Sequence, residues 1–328
     1  MKKLNYTTVE KLLFTVAQLH YEQGLTRTAI AGRMNISITH VSRLLREALK
    51  EGIVNISLRT PRHADLELSL CSRFGLREAR VVSSGRNEAD DRAHLGHEAA
   101  ELFGRIVRSG SSVALGSGRT MYELVKAIPE APIAIHIYPL AVIADRSSEV
   151  RSIDAATLVT TLWFKLRPEA RALKIGFTFP AVRFSELEPL VKASLNDNLI
   201  HDYQRSLASA DVFFFSCSQV RKESQILDIT REQGLDRQGV RELGVTGDYL
   251  FRTLDRLGSK VDVGVDNYVV GADLQMLSKL AEAPHKTLVL VSGGKEKVEV
   301  IYAGLRGRLF NVLITDDATA SLLVDKTD

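Results

Sequence analysis

Two short loops in this sequence combine glycine with hydroxyl and cationic side chains, which are the groups that proteins use to bind phosphate. The first is LGSGRT at 115–120 and the second is VSGGKEK at 291–297. Glycine lets the backbone approach an anion closely, and a helix that begins after each loop adds backbone N–H groups. The candidate contacts are Gly116, Ser117, Gly118, Arg119 and Thr120 in the first loop and Gly293, Gly294 and Lys297 in the second. The pair of loops predicts a site for a phosphate-bearing ligand.

Lys297 falls in the first turn of the predicted second helix, where the helix dipole disfavours a cation. A bound anion would reverse that penalty. The alternative is that Lys297 is a solvated lysine on the helix face, and that the glycines only form turns after strands. A third polar loop, 244–249, carries Asp248 as a candidate acceptor for sugar hydroxyls, although its spacing alone predicts a turn.

The sequence lacks the common cofactor, catalytic and zinc motifs. Met121 stands where G-x-G-x-x-G requires its third glycine, and the chain has no Walker A, nucleophile-elbow or zinc motif. His94 shares a helix face with His97 or with Glu98, but a solvated helix face explains these residues as well as metal binding does. We therefore predict no cofactor and no metal.

A different chemistry is predicted at 24–52, where two short helices flank a tight turn. Thr26 and Ser37 are predicted N-caps, and Asn35 is predicted to form the left-handed turn. The inward residues are predicted to be Ala29, Ile30 and Met34 in the first helix and Val41, Leu44, Leu45, Ala48 and Leu49 in the second. The candidate DNA-binding residues are Thr26, Arg27, Ser37, Thr39, His40, Ser42, Arg43 and Arg46. The pattern predicts a helix-turn-helix whose second helix, 37–50, enters the major groove, the alternative being a hairpin with a solvated polar face.

The charge distribution favours DNA binding. Residues 1–60 contain nine Lys or Arg and four Glu, a net charge of +5, whereas the whole chain carries +3 and the remaining 268 residues carry −2. A basic head on a slightly acidic body is typical of a DNA-binding domain joined to a sensing domain.

Helices and strands must position these residues. The apolar pattern at 8–23 predicts a first amphipathic helix, with an apolar stripe of Val9, Leu12, Leu13, Val16, Ala17 and Leu19 facing inward. Apolar and polar residues alternate at 53–58, which predicts a short strand or wing. Residues 59–63 break the pattern, and 65–74 predicts a connecting or dimerising helix. We therefore predict a DNA-binding domain at 1–60 and an effector and oligomerisation domain at 61–328, with 61–78 as linker and connecting helix.

From Ala79 onward, strand and helix patterns alternate. The predicted strands lie at 80–82, 112–115, 133–140, 173–179, 211–216, 287–291 and 311–314. Continuous apolar strands between helices predict an α/β fold with a doubly wound, mostly parallel sheet. In such sheets ligands bind at the carboxyl ends of strands, so the two glycine loops are expected to converge.

Composition limits the class of protein. The chain has 328 residues, 45% of them apolar, and only two cysteines, Cys71 and Cys217, which predict no disulfide framework. The sequence has neither a signal-peptide core nor a run of about 18 apolar residues. We predict a cytoplasmic protein with no membrane partner.

These features resemble the SorC-type family of sugar-responsive bacterial transcription regulators, which is related to the DeoR-type regulators. The resemblance lies in 21–58, 112–124 and 290–323, with a fainter match at 244–250. It implies a winged helix-turn-helix head and a sugar-phosphate-binding domain similar in fold to glucosamine-phosphate deaminases and ribose-phosphate isomerases. It also implies homodimers or homotetramers that are released or rearranged on operator DNA when a phosphorylated sugar binds.

By the same resemblance, the 116–120 loop matches the family's phosphate-side loop, Asp248 a polar contact in its sugar pocket, and Lys297 a phosphate contact. The sequence departs from the family at two places. Ser117 stands where many relatives have an aromatic residue, and the Gly-Gly pair that often follows the strand at 138–141 is missing. These departures leave open which sugar binds and how its far end is held.

The leading interpretation is a DNA-binding regulator of a carbohydrate-utilisation operon, controlled by a phosphorylated sugar and without enzymatic activity. One alternative is a sugar-phosphate isomerase or deaminase with an accessory helical head, which requires a general base. The scattered candidates for that base are Asp145, His201, Asp202, Asp248 and Asp266. Another alternative is a DNA-binding protein whose body only oligomerises. The operator, the sugar and the sign of regulation remain open.

Overall fold

The computed structural model describes residues 8–54, 63–144, 153–173, 183–195, 198–221 and 224–326. The chain divides into two compact units, Met1–Arg59 and Thr60–Asp328. Each unit has its own buried apolar core. No helix within the described ranges is long and apolar enough to cross a membrane.

The described part of the first unit is built from three α-helices. They are α1 (Thr8–Ala17), which continues as a π-helical turn (Gln18–Glu22), α2 (Arg27–Met34) and α3 (Ile38–Lys50). The Thr26 and Ser37 hydroxyls accept the backbone N–H groups of Ala29 and His40 at 3.2 and 3.1 Å, so both predicted N-caps are confirmed. Asn35 has φ of 53°, which confirms the predicted left-handed turn. Local hydrogen bonds therefore define this helical hairpin.

The three helices enclose a small core. Its buried residues are Leu13, Val16, Ala17, Leu19, Ile30, Ala31, Val41, Leu44, Leu45 and Ala48. Three residues predicted to face inward, Val9, Ala29 and Leu49, are exposed. Val9 and Leu49 each lie next to the terminal residue of their helix, and α2 buries Ala31 rather than Ala29 in the core. Most of the strand or wing predicted at 53–58 lies outside the described residues, as does 59–62 of the predicted linker.

The second unit alternates strands and helices. In chain order they are α4 (Ala64–Phe74), β1 (Glu78–Val82), α5 (Glu88–Ile106), β2 (Ser112–Leu115), α6 (Arg119–Ala127), β3 (His136–Pro139), β4 (Ala141–Ile143), α7 (Ala155–Leu166), β5 (Arg171–Ala172), α8 (Phe184–Leu195), α9 (Asn198–Ser209), β6 (Val212–Phe215), β7 (Cys217–Ser218), α10 (Gln225–Glu232), α11 (Arg237–Glu242), β8 (Gly247–Tyr249), β9 (Arg252–Leu254), β10 (Val269–Gly271), α12 (Leu274–Glu282), β11 (Thr287–Val291), α13 (Val298–Arg306), β12 (Val312–Asp316) and α14 (Asp317–Val324). Short 3₁₀ turns at Asp266–Tyr268 and Lys295–Lys297 precede β10 and α13.

Seven of the described strands form one sheet in the order β1–β12–β11–β6–β2–β3–β5, and each neighbouring pair is parallel. Side chains of the central strand β6 alternate between two cores: Phe213 and Phe215 enter one, and Phe214 enters the other. A sheet that is covered on both faces needs continuously apolar strands, which is the pattern of β6 and β11. The predicted doubly wound, mostly parallel α/β fold is confirmed.

Several local predictions need correction. The segment 244–249 is not only a turn, because it contains β8, which pairs with β7 and β9 in an antiparallel sheet that was not predicted. The strand predicted at 133–140 begins only at His136, and a second antiparallel sheet joins β4 to β10. Of the strand predicted at 173–179, all but Leu173 lies outside the described residues. Helix α4 packs on β1 and α14 with Leu70 fully buried, so it belongs to the body.

Candidate functional site

A pocket of about 700 Å³ lies where the chain leaves the three central strands β2, β6 and β11. Eight of the predicted ligand residues line it: Ser117, Gly118, Arg119, Thr120, Asp248, Gly293, Gly294 and Lys297. The loops after β2 and β11 converge although these strands are not neighbours, since β6 lies between them. Gly116 lies behind the lining instead. Its N–H donates to the Phe214 carbonyl at 2.8 Å, and a Cβ there would come within 2.9 Å of Phe215 Cβ.

Two of the pocket segments that were not predicted from the sequence are residues 216–219 and the start of α5. Residues 216–219 follow β6 and contribute two serines, Cys217 and a glutamine, and the start of α5 contributes Glu88, Asp91, Arg92 and Leu95. The signal for the first segment was present, because the buried strand at 211–216 was predicted and is followed directly by polar residues. The start of α5 carries no comparable signal, since only the tertiary fold brings that helix over the pocket.

The first loop presents the start of helix α6 to the pocket. Gly118 has φ of 105° and is the N-cap of α6. Its own N–H donates to the Ile153 carbonyl at 2.8 Å, so this group is occupied within the protein. The N–H groups of Arg119 and Thr120 lie in the first turn, where an α-helix has no internal acceptor for them. They are therefore the backbone donors that an anion can use.

The buried carboxylate of Asp316 fixes the second loop by hydrogen bonding. Its Oδ2 accepts the N–H of Gly294 at 2.7 Å and the hydroxyl of Thr319 at 2.8 Å. A Cβ on Gly293 would lie 2.1 Å from the same oxygen, so only glycine fits there. Asp316 was not among the predicted site residues. Its role is to shape the loop, and it also occupies the N–H of Gly294, which was a predicted ligand contact.

Asp248 and Lys297 form the charged centre of the pocket. Asp248 is 6% exposed, and burial raises the pKa of its carboxyl to about 6. Three contacts act in the opposite direction: the Ser218 hydroxyl donates to Oδ2 at 2.7 Å, the Phe251 N–H donates to Oδ1 at 3.3 Å, and the Lys297 ammonium lowers the same pKa. Asp248 is therefore largely ionised at neutral pH and able to accept hydrogen bonds.

Cys217, which also lines the pocket, is a buried thiol rather than a reactive one. Burial raises its pKa, and its Sγ lies 3.3 Å from the hydroxyl of the fully buried Ser292. A thiol that remains protonated at neutral pH is a poor nucleophile. Cys217 thus contributes shape to the pocket and no covalent chemistry.

Acidic and cationic side chains line the pocket in equal numbers. The cations are Arg92, Arg119, Arg221 and Lys297, and the acids are Glu88, Asp91, Asp248 and Glu296. Glu88 pairs with Arg92 at 3.0 Å and with Arg221 at 3.5 Å, and Glu296 pairs with Arg221 at 3.1 Å. Arg119 and Lys297, by contrast, form no ion pair within the part of the chain that the structure describes. Both act on a pocket carboxyl at longer range, Arg119 lowering the pKa of Glu88 and Lys297 that of Asp248. An external anion can therefore approach either cation without breaking a direct ion pair between described residues.

The remaining candidates for metal binding or general-base catalysis lie elsewhere. His94 Nδ1 lies 3.1 Å from the Ser83 carbonyl, Glu98 pairs with Arg80 at 2.6 Å, and no cluster of metal-ligating side chains occurs among the described residues. His201 and Asp202 are exposed on α9, and Asp266 pairs with Arg252 and Lys260. Asp145 lies outside the described residues. Among the described general-base candidates, Asp248 alone faces the pocket.

The first unit presents a polar surface at the start of α3. Arg27, Thr39, Arg43 and Arg46 are exposed, and His40 and Ser42 are half-buried. The capping hydroxyls of Thr26 and Ser37 accept hydrogen bonds from the helices and keep their own hydrogens for donation. Ile38, 48% exposed at the first position of α3, is an apolar neighbour of these groups that was not predicted as a DNA-binding residue. Together these residues have the chemistry of a helix that contacts phosphates and base edges.

Fold and pocket define a ligand-binding α/β unit that follows a helix-turn-helix unit. A family model described as "Putative sugar-binding domain" matches residues 59–325, and the chain belongs to this family. The predicted SorC-type resemblance is thereby confirmed.

Named relatives cover almost the whole chain. The sorbitol operon regulator of Klebsiella pneumoniae is 28% identical over 96% of this chain and 98% of its own. The deoxyribonucleoside regulator of Bacillus subtilis (strain 168) is 27% identical, with the same coverage of both chains. The crystal structure of the full-length sorbitol operon regulator SorC from Klebsiella pneumoniae matches with a TM-score of 0.66 at 25% identity, over 96% of this chain and 99% of that one. Both relatives are named regulators, one of a sorbitol operon and the other a deoxyribonucleoside regulator.

Proposed function

We propose that this chain is a DNA-binding transcriptional regulator of a carbohydrate-utilisation operon, and that its effector is a phosphorylated sugar. Residues 1–60 bind operator DNA, and residues 61–328 bind the effector and hold the oligomer together. The observation that carries the proposal is the convergence of both glycine loops, Lys297 and buried Asp248 in one pocket. The names of the relatives support the regulatory role.

The phosphate of the effector binds between the two loops. Lys297 and Arg119 supply positive charge, and the first-turn N–H groups of α6 supply directional donors. Because neither cation has an internal ion pair in the described structure, a phosphate gains their charge without displacing a carboxylate. The positive end of the α6 dipole adds to this attraction.

The sugar hydroxyls bind beside the phosphate. Asp248 accepts hydrogen bonds from them, and Ser218 and Gln219 are the polar neighbours in the lining. The equal numbers of acids and cations around the pocket suit a ligand that carries one anionic end and several neutral hydroxyls. A ligand with strong charges at both ends would compete with the internal pairs of Glu88 and Glu296.

The direct test combines DNA binding with effector titration. A gel-shift assay uses the DNA upstream of the protein's own gene, with and without a panel of pentose and hexose phosphates. A specific shift that one sugar phosphate changes is the expected result. Lys297→Ala should then weaken the affinity for that sugar phosphate about tenfold to a hundredfold, because a charge-assisted hydrogen bond contributes roughly 1.5–3 kcal/mol, and ligand-free DNA binding should persist.

Lys295 provides the matched control for this test. It lies two residues before Lys297 in the same 3₁₀ turn but is exposed and outside the lining. Lys295→Ala should leave the effector affinity unchanged. Equal losses in the two variants would indicate a diffuse charge effect and contradict the assigned contact.

A second candidate function is a sugar-phosphate isomerase or deaminase with an accessory head. The observation in its favour is Asp248, a buried carboxyl in the pocket with a pKa of about 6, which suits a general base. Turnover of any sugar phosphate, followed by proton NMR, would support this reading. We favour the non-catalytic role because the relatives are named regulators and because a helix-turn-helix unit has no use in such catalysis.

The regulator is further proposed to act as a homodimer or homotetramer. A single helix-turn-helix contacts only a few base pairs, so paired heads are needed to recognise a symmetric operator. Leu68 on α4, 70% exposed, is an apolar side chain available for a contact between subunits.

A further inference from the structure

The hairpin of β8 and β9 closes through an unusual two-residue turn. Tyr249 pairs with Arg252, so Leu250 and Phe251 are the turn residues, with φ of 55° and 66°. A two-residue hairpin turn with positive φ at both positions is ordinarily built from asparagine and glycine. In this region Cβ crowds the backbone, so leucine and phenylalanine hold the turn in a strained conformation.

Contacts on both sides of the turn maintain this conformation. Leu250 is 5% exposed and belongs to the core. The Phe251 N–H donates to the carboxylate of Asp248 at 3.3 Å, and Arg252 forms an ion pair with Asp266 at 3.0 Å. The tertiary structure therefore imposes the turn against the local preference of its two residues.

The turn faces the candidate ligand pocket. Leu250 and Phe251 line it together with Asp248 and Lys297. Phe251 is half-buried and packs on the core with part of its ring. The lining is polar around the two glycine loops, and an aromatic side chain beside it offers a flat apolar surface to the C–H groups of a ligand.

We propose that Phe251 contacts the carbon skeleton of the effector and thereby distinguishes a sugar phosphate from inorganic phosphate. The inference rests on the proposed function, since it takes the ligand of the pocket to be a sugar phosphate. An asparagine–glycine turn would relieve the strain but would remove the ring from the pocket. Stability of the hairpin is thus sacrificed for recognition, a compromise that is expected at binding sites.

The test compares full-length wild type with Phe251→Gly. Calorimetry measures affinities for ribose 5-phosphate, glucose 6-phosphate, fructose 6-phosphate and inorganic phosphate, and a thermal scan measures the unfolding midpoint. Affinity for the best-bound sugar phosphate should fall about tenfold, the effect of losing a modest apolar contact. Inorganic phosphate has no carbon skeleton, so its affinity should stay within about twofold. The unfolding midpoint should fall only modestly, because the relief of backbone strain offsets part of the ring packing that is lost.

Two further variants complete the experiment. Phe251→Asn keeps a residue that tolerates the left-handed turn and should lose sugar-phosphate affinity in the same way. Arg308→Gly relieves backbone strain at another positive φ, 51°, outside the pocket lining, and should leave every affinity unchanged.

The outcomes separate this inference from the proposed function. Equal sugar-phosphate affinity in wild type and both Phe251 variants would overturn the role of Phe251 and leave the proposed function standing. A parallel loss of inorganic phosphate binding would also overturn it, because Phe251 would then only support the pocket. A wild type that binds neither inorganic phosphate nor any of the three sugar phosphates would overturn the proposed function and this inference with it.

Discussion

Replacing Asp248 by asparagine should make the protein more stable and its effector binding weaker. The carboxyl is 6% exposed, and its burial raises its pKa from 3.8 to about 6. Asparagine has nearly the same shape and can keep both local hydrogen bonds, with Oδ1 accepting from Phe251 and the amide donating to the Ser218 hydroxyl. The substitution therefore removes a buried charge without opening a cavity.

The magnitude follows from the pKa difference. Raising the pKa from 3.8 to about 6 means that the ionised carboxylate destabilises the folded state by about 2–3 kcal/mol. The folded state binds a proton more readily than the unfolded state, so the free energy of unfolding rises as the pH falls through about 6 and the gain is complete below 3.8. Asp248→Asn should thus exceed wild type by about 2–3 kcal/mol at pH 8 and by about half of that at pH 5.

The assay is urea unfolding of both proteins at pH 5 and pH 8, with effector titration at pH 8. Affinity should fall at least about tenfold, since an amide oxygen accepts a weaker hydrogen bond than a carboxylate. Asp202→Asn, at an exposed position on α9, is the control and should change neither quantity. Equal stabilities at pH 8, or a stability gap that is the same at both pH values, would refute the reasoning.

Three other predictions follow from the site and the head. Gly293→Ala should lower the free energy of unfolding by about 1–3 kcal/mol and abolish effector binding, because the new Cβ would lie 2.1 Å from Asp316 Oδ2. Thermal unfolding and calorimetry would measure the two effects, and an unchanged effector affinity would contradict the role of the second glycine loop in binding. Arg43→Ala should weaken operator binding by about 1–3 kcal/mol if Arg43 contacts a base, and should weaken binding to all DNA sequences equally if it contacts phosphate. Unchanged gel shifts on both operator and random DNA would contradict the placement of α3 in the major groove. Sedimentation at micromolar concentration should give a dimer or a larger species, and Leu68→Glu should weaken the association between subunits. A wild-type protein that is monomeric both with and without DNA would contradict the proposed oligomer.

Elements whose stabilising contacts are close in sequence were predictable. The caps at Thr26 and Ser37 and the left-handed Asn35 each depend on hydrogen bonds or steric preferences within about four residues. The parallel sheet was also predictable, because strands that are buried on both faces must be apolar along their whole length. The two glycine loops were recognised in the same way, from residue types that follow a strand.

Tertiary structure decided what these signals leave open. The order of the strands places β6 between β2 and β11, and so brings residues 216–219 into the pocket. Ser218 pairs with Asp248 between β7 and β8, so the segment that was predicted as a loop is a strand. The carboxylate of Asp248 is buried there. Asp316 shapes the second glycine loop from a strand that begins well after it.

The turn at Leu250 and Phe251 shows most clearly where local sequence preference fails to predict the conformation. Local preference argues against positive φ at leucine and phenylalanine, yet both adopt it. A local sequence determines the backbone conformation when the free-energy difference between the local conformations is larger than the free energy that contacts with distant residues can contribute. At this turn the burial of Leu250 and the anchoring of Arg252 by Asp266 depend on segments that only the folded chain brings together. With the local hydrogen bond from Phe251 to Asp248, these contacts exceed the local strain.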